Sequence, residues 1–116
     1  MSYDFVFWAG GDALDPRGVY PRLIADQPVT GIDAVDRELI VATFADALPG
    51  WRWDGQILQP PEAEADGVPA FDVCIGDQLV QYTGYGWEDE HANAIIDVMH
   101  RLGYRLYDPQ IDTRFA

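Results

Sequence analysis

The chain has 116 residues, 48% of them hydrophobic and 23% charged, the balance of one globular domain with its own core and too apolar for a disordered segment. Twenty Asp and Glu stand against seven basic residues, all Arg, for a formal charge of −13; such a surface repels phosphate backbones and anionic lipid, which argues against direct nucleic-acid or membrane binding and for a basic protein partner. Cys74 is the sole cysteine, so no disulfide forms within the chain, no run approaches the ~20 apolar residues of a membrane span, and Asp4 stands where a signal peptide needs a base; the expected compartment is the cytoplasm.

Tyr3 to Trp8 is rich in aromatic and β-branched residues, with Tyr3, Phe5 and Phe7 on one face and Asp4, Val6 and Trp8 on the other, and reads as a strand stopped by Gly10-Gly11. Asp15-Pro16 supplies an N-cap and a proline at the first helical position, while Gly18 and Pro21 predict a short or broken helix toward Asp26. From Asp33 to Leu48 the pattern is helical: Asp33 caps, Asp36 sits in the first turn, and Val35, Leu39, Ile40, Phe44 and Leu48 share a stripe ended by Pro49-Gly50. Trp51 to Gln59 reads as extended with a fold-back at Asp54-Gly55, and prolines with Glu62, Glu64 and Asp66 make 60–69 a solvated loop.

Phe71–Ile75 and Gln78–Tyr82 flank Gly76-Asp77, a two-residue hairpin turn that pairs Val73 with Val80 and Phe71 with Tyr82 on the core side. Cys74 then faces Leu79, Asp72 faces Gln81, and the thiol is expected to pack within its strand. The last helix is the clearest element: Ala92, Ile95, Ile96, Met99 and Leu102 recur at helical spacing, Glu88, Asp89 and Glu90 fill the first turn, His100 and Arg101 the last, and Gly103 takes the left-handed stop. Tyr104–Tyr107 is a closing strand ended by Asp108-Pro109. The order β-α-α-β-β-β-α-β predicts a single-domain α+β fold, a two-layer sandwich with helices on one face of a mostly antiparallel sheet.

Catalytic patterns are missing from this sequence. Neither GxGxxG nor GxxxxGK[ST] occurs, so Gly10-Gly11 reads as a turn; the one Ser is Ser2, and Cys74 has no adjacent His. His91 and His100 stand nine positions apart, on opposite faces of one helix at ~100° per residue, and Glu88-x-x-His91 lacks the second copy that a carboxylate-bridged metal pair requires. Asp72 with Asp77, or Asp108 with Asp112, fit turn chemistry better than acid–base catalysis. The expectation is a protein that is no enzyme and uses no metal or cofactor.

What remains is Thr83-Gly84-Tyr85-Gly86-Trp87 running into Glu88-Asp89-Glu90. Glycines around two large aromatics allow an exposed loop, and Tyr and Trp anchor protein interfaces, so Tyr85 and Trp87 are the expected anchors and Glu88, Asp89 and Glu90 the steering charges. Trp87 can instead fold back as a hydrophobic staple on the last helix.

The opening Ser2-Tyr3-Asp4-Phe5-Val6-Phe7-Trp8, the central Leu48-Pro49-Gly50-Trp51 and the closing Leu102-Gly103-Tyr104-Arg105-Leu106-Tyr107-Asp108-Pro109-Gln110 with Arg114-Phe115 resemble a group of small bacterial proteins found beside polymorphic toxins and taken to be immunity proteins. The resemblance implies tight non-covalent binding to a cognate toxin domain and brings no catalytic residue. Toxins that attack nucleic acid carry basic clefts, which fits the acidity. A second reading is a small-ligand binder or enzyme with a pocket between sheet and helices lined by Trp8, Trp51, Trp53 and carboxylates. A third is homo-oligomerisation through the aromatic loop or an open sheet edge.

Overall fold

The computed structural model describes residues 2–60, 70–85, 89–111 and 113–115, with only the backbone of 2, 3, 85 and 89. The elements are β1 (Ser2–Trp8), α1 (Pro16–Ile24), α2 (Arg37–Ala47), β2 (Arg52–Asp54), β3 (Ile57–Gln59), β4 (Phe71–Ile75), β5 (Val80–Tyr85), α3 (Asp89–Arg101), β6 (Arg105–Asp108) and β7 (Thr113–Arg114). The strands make one antiparallel sheet in the order β2-β3-β4-β5-β1-β6-β7, with the helices packed on it, so the fold is α+β.

Alternation along β1 explains the layering. Phe5 and Phe7 point to a core built with Ile40 and Phe44 of α2, Ala92, Ile95, Val98 and Met99 of α3, and Leu58, Phe71, Val73, Val80 and Tyr82 of the sheet. Val6 and Trp8 point the other way and are equally buried, against Val19 and Leu23 of α1, Val29 and Ile32 of the following loop, Leu79 and Tyr107. The α+β plan of helices on an antiparallel sheet holds, but the helices do not all share one face as expected: α1 lies on the opposite face from α2 and α3 and covers the β1–β6 part of the sheet, because Val6 and Trp8 are apolar and need a second layer. A strand buried on both faces cannot alternate polar with apolar, and Phe5-Val6-Phe7-Trp8 does not.

The helix ends follow from side-chain chemistry. Asp15 accepts the Arg17 backbone N–H at 3.0 Å and opens α1 with Pro16 behind it; the Arg17 side chain, then that N–H, hold the Asp15 carboxyl below its ordinary range. α1 runs nine residues despite Gly18 and Pro21. α2 begins later than expected: Asp36, not Asp33, caps it by accepting the Leu39 N–H at 3.1 Å. Asp33 is held elsewhere, its N–H donating to the Ala9 carbonyl at 2.9 Å beside the isolated bridge Gly10–Ile32, and Leu39 is half exposed. Gly103 ends α3 at φ 91°, as its position predicted.

β2 and β3 form the fold-back, with Asp54 paired to Ile57 and Gly55 at φ 59° in the turn. In the β4–β5 hairpin, Val73 pairs with Tyr82 and Ile75 with Val80, two residues away from the expected register, around a four-residue loop 76–79 closed by Gly76 N–H donating to Leu79 O at 2.8 Å. Side chains repeat every two residues along a strand, so this shift keeps Phe71, Val73, Val80 and Tyr82 on the core side. Two captures at the tip favour the longer loop: Leu79 buries on the α1 side, and the Gln78 amide takes Val29 N–H, Val29 O and Ile32 O at 2.9, 3.0 and 2.9 Å. Cys74 does not pack inside; it is exposed on the outer side of β4. The closing strand spans Arg105–Asp108 and is followed by β7.

Candidate partner-binding surface

Residues paired directly across antiparallel strands share a face. Asp54, Ile57, Asp72, Thr83 and Asp4 are paired in succession across β2, β3, β4, β5 and β1, and so form one rank on the face turned away from α2 and α3. Asp54 and Asp72 are exposed, and Ile57, Thr83 and Asp4 partly so. Alternate strands lie about 10 Å apart, so three carboxylates recur across the rank with a neutral residue between each pair, which avoids the cost of like charges directly opposed. The next rank, Cys74, Gln81, Val6 and Tyr107, passes from open surface at β4 to cover beneath α1.

Asp4 is positioned with care. Thr83 Oγ1 donates to Asp4 Oδ1 at 2.8 Å, and the Gln110 amide bonds both Asp4 backbone groups, accepting from its N–H at 3.4 Å and donating to its carbonyl at 3.3 Å. Buried Asp108 aims Gln110, accepting from its backbone N–H at 3.0 Å and from its side-chain amide. Tyr20 stands at the α1 border, its ring 5.1 Å from that of Tyr107; burial first, and the Asp4 charge second, raise its phenol pKa. The Leu106–Gln110 segment thus has structural work here: Tyr107 fills the α1-side core, and Asp108 with Gln110 ties off β1 beyond the reach of β6.

Of the expected interface residues, Tyr85 ends β5, its backbone paired with Ser2, two positions beyond Thr83 of the rank; Asp89 and Glu90 open α3, and Glu90 is exposed. Trp87 and Glu88 lie outside the described residues, as do Glu62, Glu64, Asp66 and Asp112. The acidic rank itself escaped sequence reading, because its members lie far apart in the chain and only strand pairing brings them together. Asp72 and Asp77 are not partners: Asp72 sits mid-strand, while Asp77 is at the hairpin tip, its carbonyl accepting the Val35 N–H at 2.8 Å.

His91 is buried with its ring 5.8 Å from that of Trp51, and His100 is exposed at the other end of α3. Among the described residues, no three His, Cys, Asp or Glu side chains are grouped so as to hold a metal ion. The tryptophans proposed for a common pocket are separated: Trp8 is wholly buried on the α1 side, Trp51 stacks on Phe71 at 6.4 Å, and Trp53 lines a cavity of about 270 Å³ beneath the start of α2. A second cavity of about 250 Å³ lies between α3 and β6, with Phe7, Ile96, Leu106 and Phe115 in its walls. No described helix is long and apolar enough to cross a membrane. No family model matches the chain, and no curated protein matches its sequence.

Proposed function

We propose that the protein is an immunity-type inhibitor that neutralises a cognate basic toxin domain in the cytoplasm by tight non-covalent binding, without catalysis. The observation that carries this reading is the open half of the sheet, where Asp54, Asp72 and Asp4 face outward in one rank in a chain of charge −13. Regularly spaced carboxylates on a stiff sheet offer a positively charged cleft complementary charge at little ordering cost, and the net charge steers the encounter from beyond contact distance. Tyr85, Trp87, Glu88, Asp89 and Glu90 are proposed as a second set of contacts, the two rings serving as anchors once the charges have aligned the partners.

Co-expression tests the reading. The reading predicts that the adjacent reading frame encodes a basic domain that arrests growth alone, is tolerated when this chain is produced with it, and co-purifies with it in a one-to-one complex. Equal arrest with and without this chain would overturn the proposal.

A further inference from the structure

We propose that the cavity between the start of α2 and the β2–β4 part of the sheet binds a small organic anion, a planar apolar body carrying one carboxylate. Val41, Trp53, Val73 and Ile75 give the cavity apolar walls, and Gly55, Gln56 and Arg37 complete its lining. Its volume, about 270 Å³, lies just below the ~300 Å³ at which drug-sized pockets begin, which suits a single ring with a short arm.

Charge at the lip selects the arm. Arg17 is held by Asp15, and Arg105 and Arg114 share Asp12. The Arg37 side chain is exposed and makes neither a hydrogen bond nor an ion pair among the described residues. Arg101 is likewise exposed without an ion pair among the described residues, so what distinguishes Arg37 is the apolar cavity beside it. A guanidinium presents planar paired donors that match a carboxylate, and an apolar wall beside it rewards a ligand that brings a ring with the charge. A cationic ligand would meet Arg37 and be repelled. The cavity opens on the α2 side of the sheet, away from the acidic rank, so this binding stands or falls independently of the inhibitor reading.

Trp53 supplies the reporter, since its indole N–H is buried without a hydrogen-bond partner among the described residues and its ring forms one wall. The whole chain is titrated with 3-phenylpropionate and, separately, with its uncharged amide, while the indole N–H signals are followed by NMR. The expected result is a saturable shift of the Trp53 signal with the acid, weakened about tenfold or more for the amide and for Arg37→Gln, the scale of one charge-assisted hydrogen bond. Unchanged Trp8 and Trp51 signals show that Arg37→Gln retains the fold. No saturable Trp53 shift with the acid in the millimolar range, or equal binding of acid and amide, overturns the proposal.

Discussion

Arg114→Met would leave an unbranched apolar stem near the Trp8 ring and delete a buried guanidinium. That guanidinium donates through Nη2 to the Trp8 carbonyl at 3.0 Å, lies 4.8 Å from the Trp8 ring centroid, and meets Asp12 Oδ1 at 3.3 Å, where Arg105 also binds at 2.6 Å. Only 6% of the Arg114 side chain is exposed. A hydrogen bond from a charged donor contributes about 1.5–3 kcal/mol and a desolvated cation–π contact about 2 kcal/mol. Against these stands the cost of holding the ion out of water; burial first, and repulsion from Arg105 second, lower the Arg114 pKa, and its Nε has no hydrogen-bond partner among the described residues. The expected net loss is about 2 kcal/mol, or about 8 °C in Tm for a domain of this size. Asp12 is 69% exposed, so Asp12→Asn should cost less than ~1 kcal/mol. Urea unfolding followed by tryptophan fluorescence measures both variants. Arg114→Met as stable as the parent would show that packing alone fastens β7 to the sheet, and would refute the assignment of a net stabilising role to this ion.

Two glycines separate backbone strain from collision. A Cβ on Gly10, at φ 84°, would lie 2.6 Å from the Gly31 carbonyl oxygen, so Gly10→Ala should cost more than ~2 kcal/mol; Gly103, at φ 91°, has nothing within 4 Å, so Gly103→Ala should cost only the ~1 kcal/mol of left-handed geometry. Thermal unfolding ranks the pair, and equal losses would contradict the collision. Cys74 should react with a thiol reagent in the folded protein at nearly the rate seen in urea, because it is exposed. Tyr82 and Tyr20 have phenol pKa values raised above the ordinary 10, chiefly by burial. The stability linked to them is complete below pH 10 and falls as the pH rises above it, where the unfolded chain loses protons that the folded chain keeps. Tyr82→Phe should flatten this alkaline decline in urea midpoints taken across that range, and an unchanged decline would count against it.

Local chemistry was the readable part of the sequence. Asp15-Pro16 capped α1, the stripe from Ala92 to Leu102 faced the core, and Gly103 stopped α3, because each depends on neighbours within a few residues. The β4–β5 register was not readable: two-residue and four-residue loops put the same side chains on the same face, and the choice rests on Gln78 reaching Val29 and Ile32, 49 and 46 residues away. The placement of α1 had a signal in the wholly apolar Phe5–Trp8 run, but its partner layer lay elsewhere in the chain. Cys74 reads as apolar by type and is exposed because β4 has no α1 above it, and the acidic rank exists only through pairings among five strands.

The direct test of the inhibitor account is the association rate with the adjacent-frame toxin domain, measured by stopped flow at rising ionic strength. Parent protein, Asp54→Asn/Asp72→Asn and Glu88→Gln/Asp89→Asn/Glu90→Gln are compared. The account predicts that the parent slows by about tenfold or more between low and high salt, and that both neutralised proteins associate more slowly at low salt with a flatter dependence. Identical rates and slopes for all three would mean that the partner meets neither set of carboxylates.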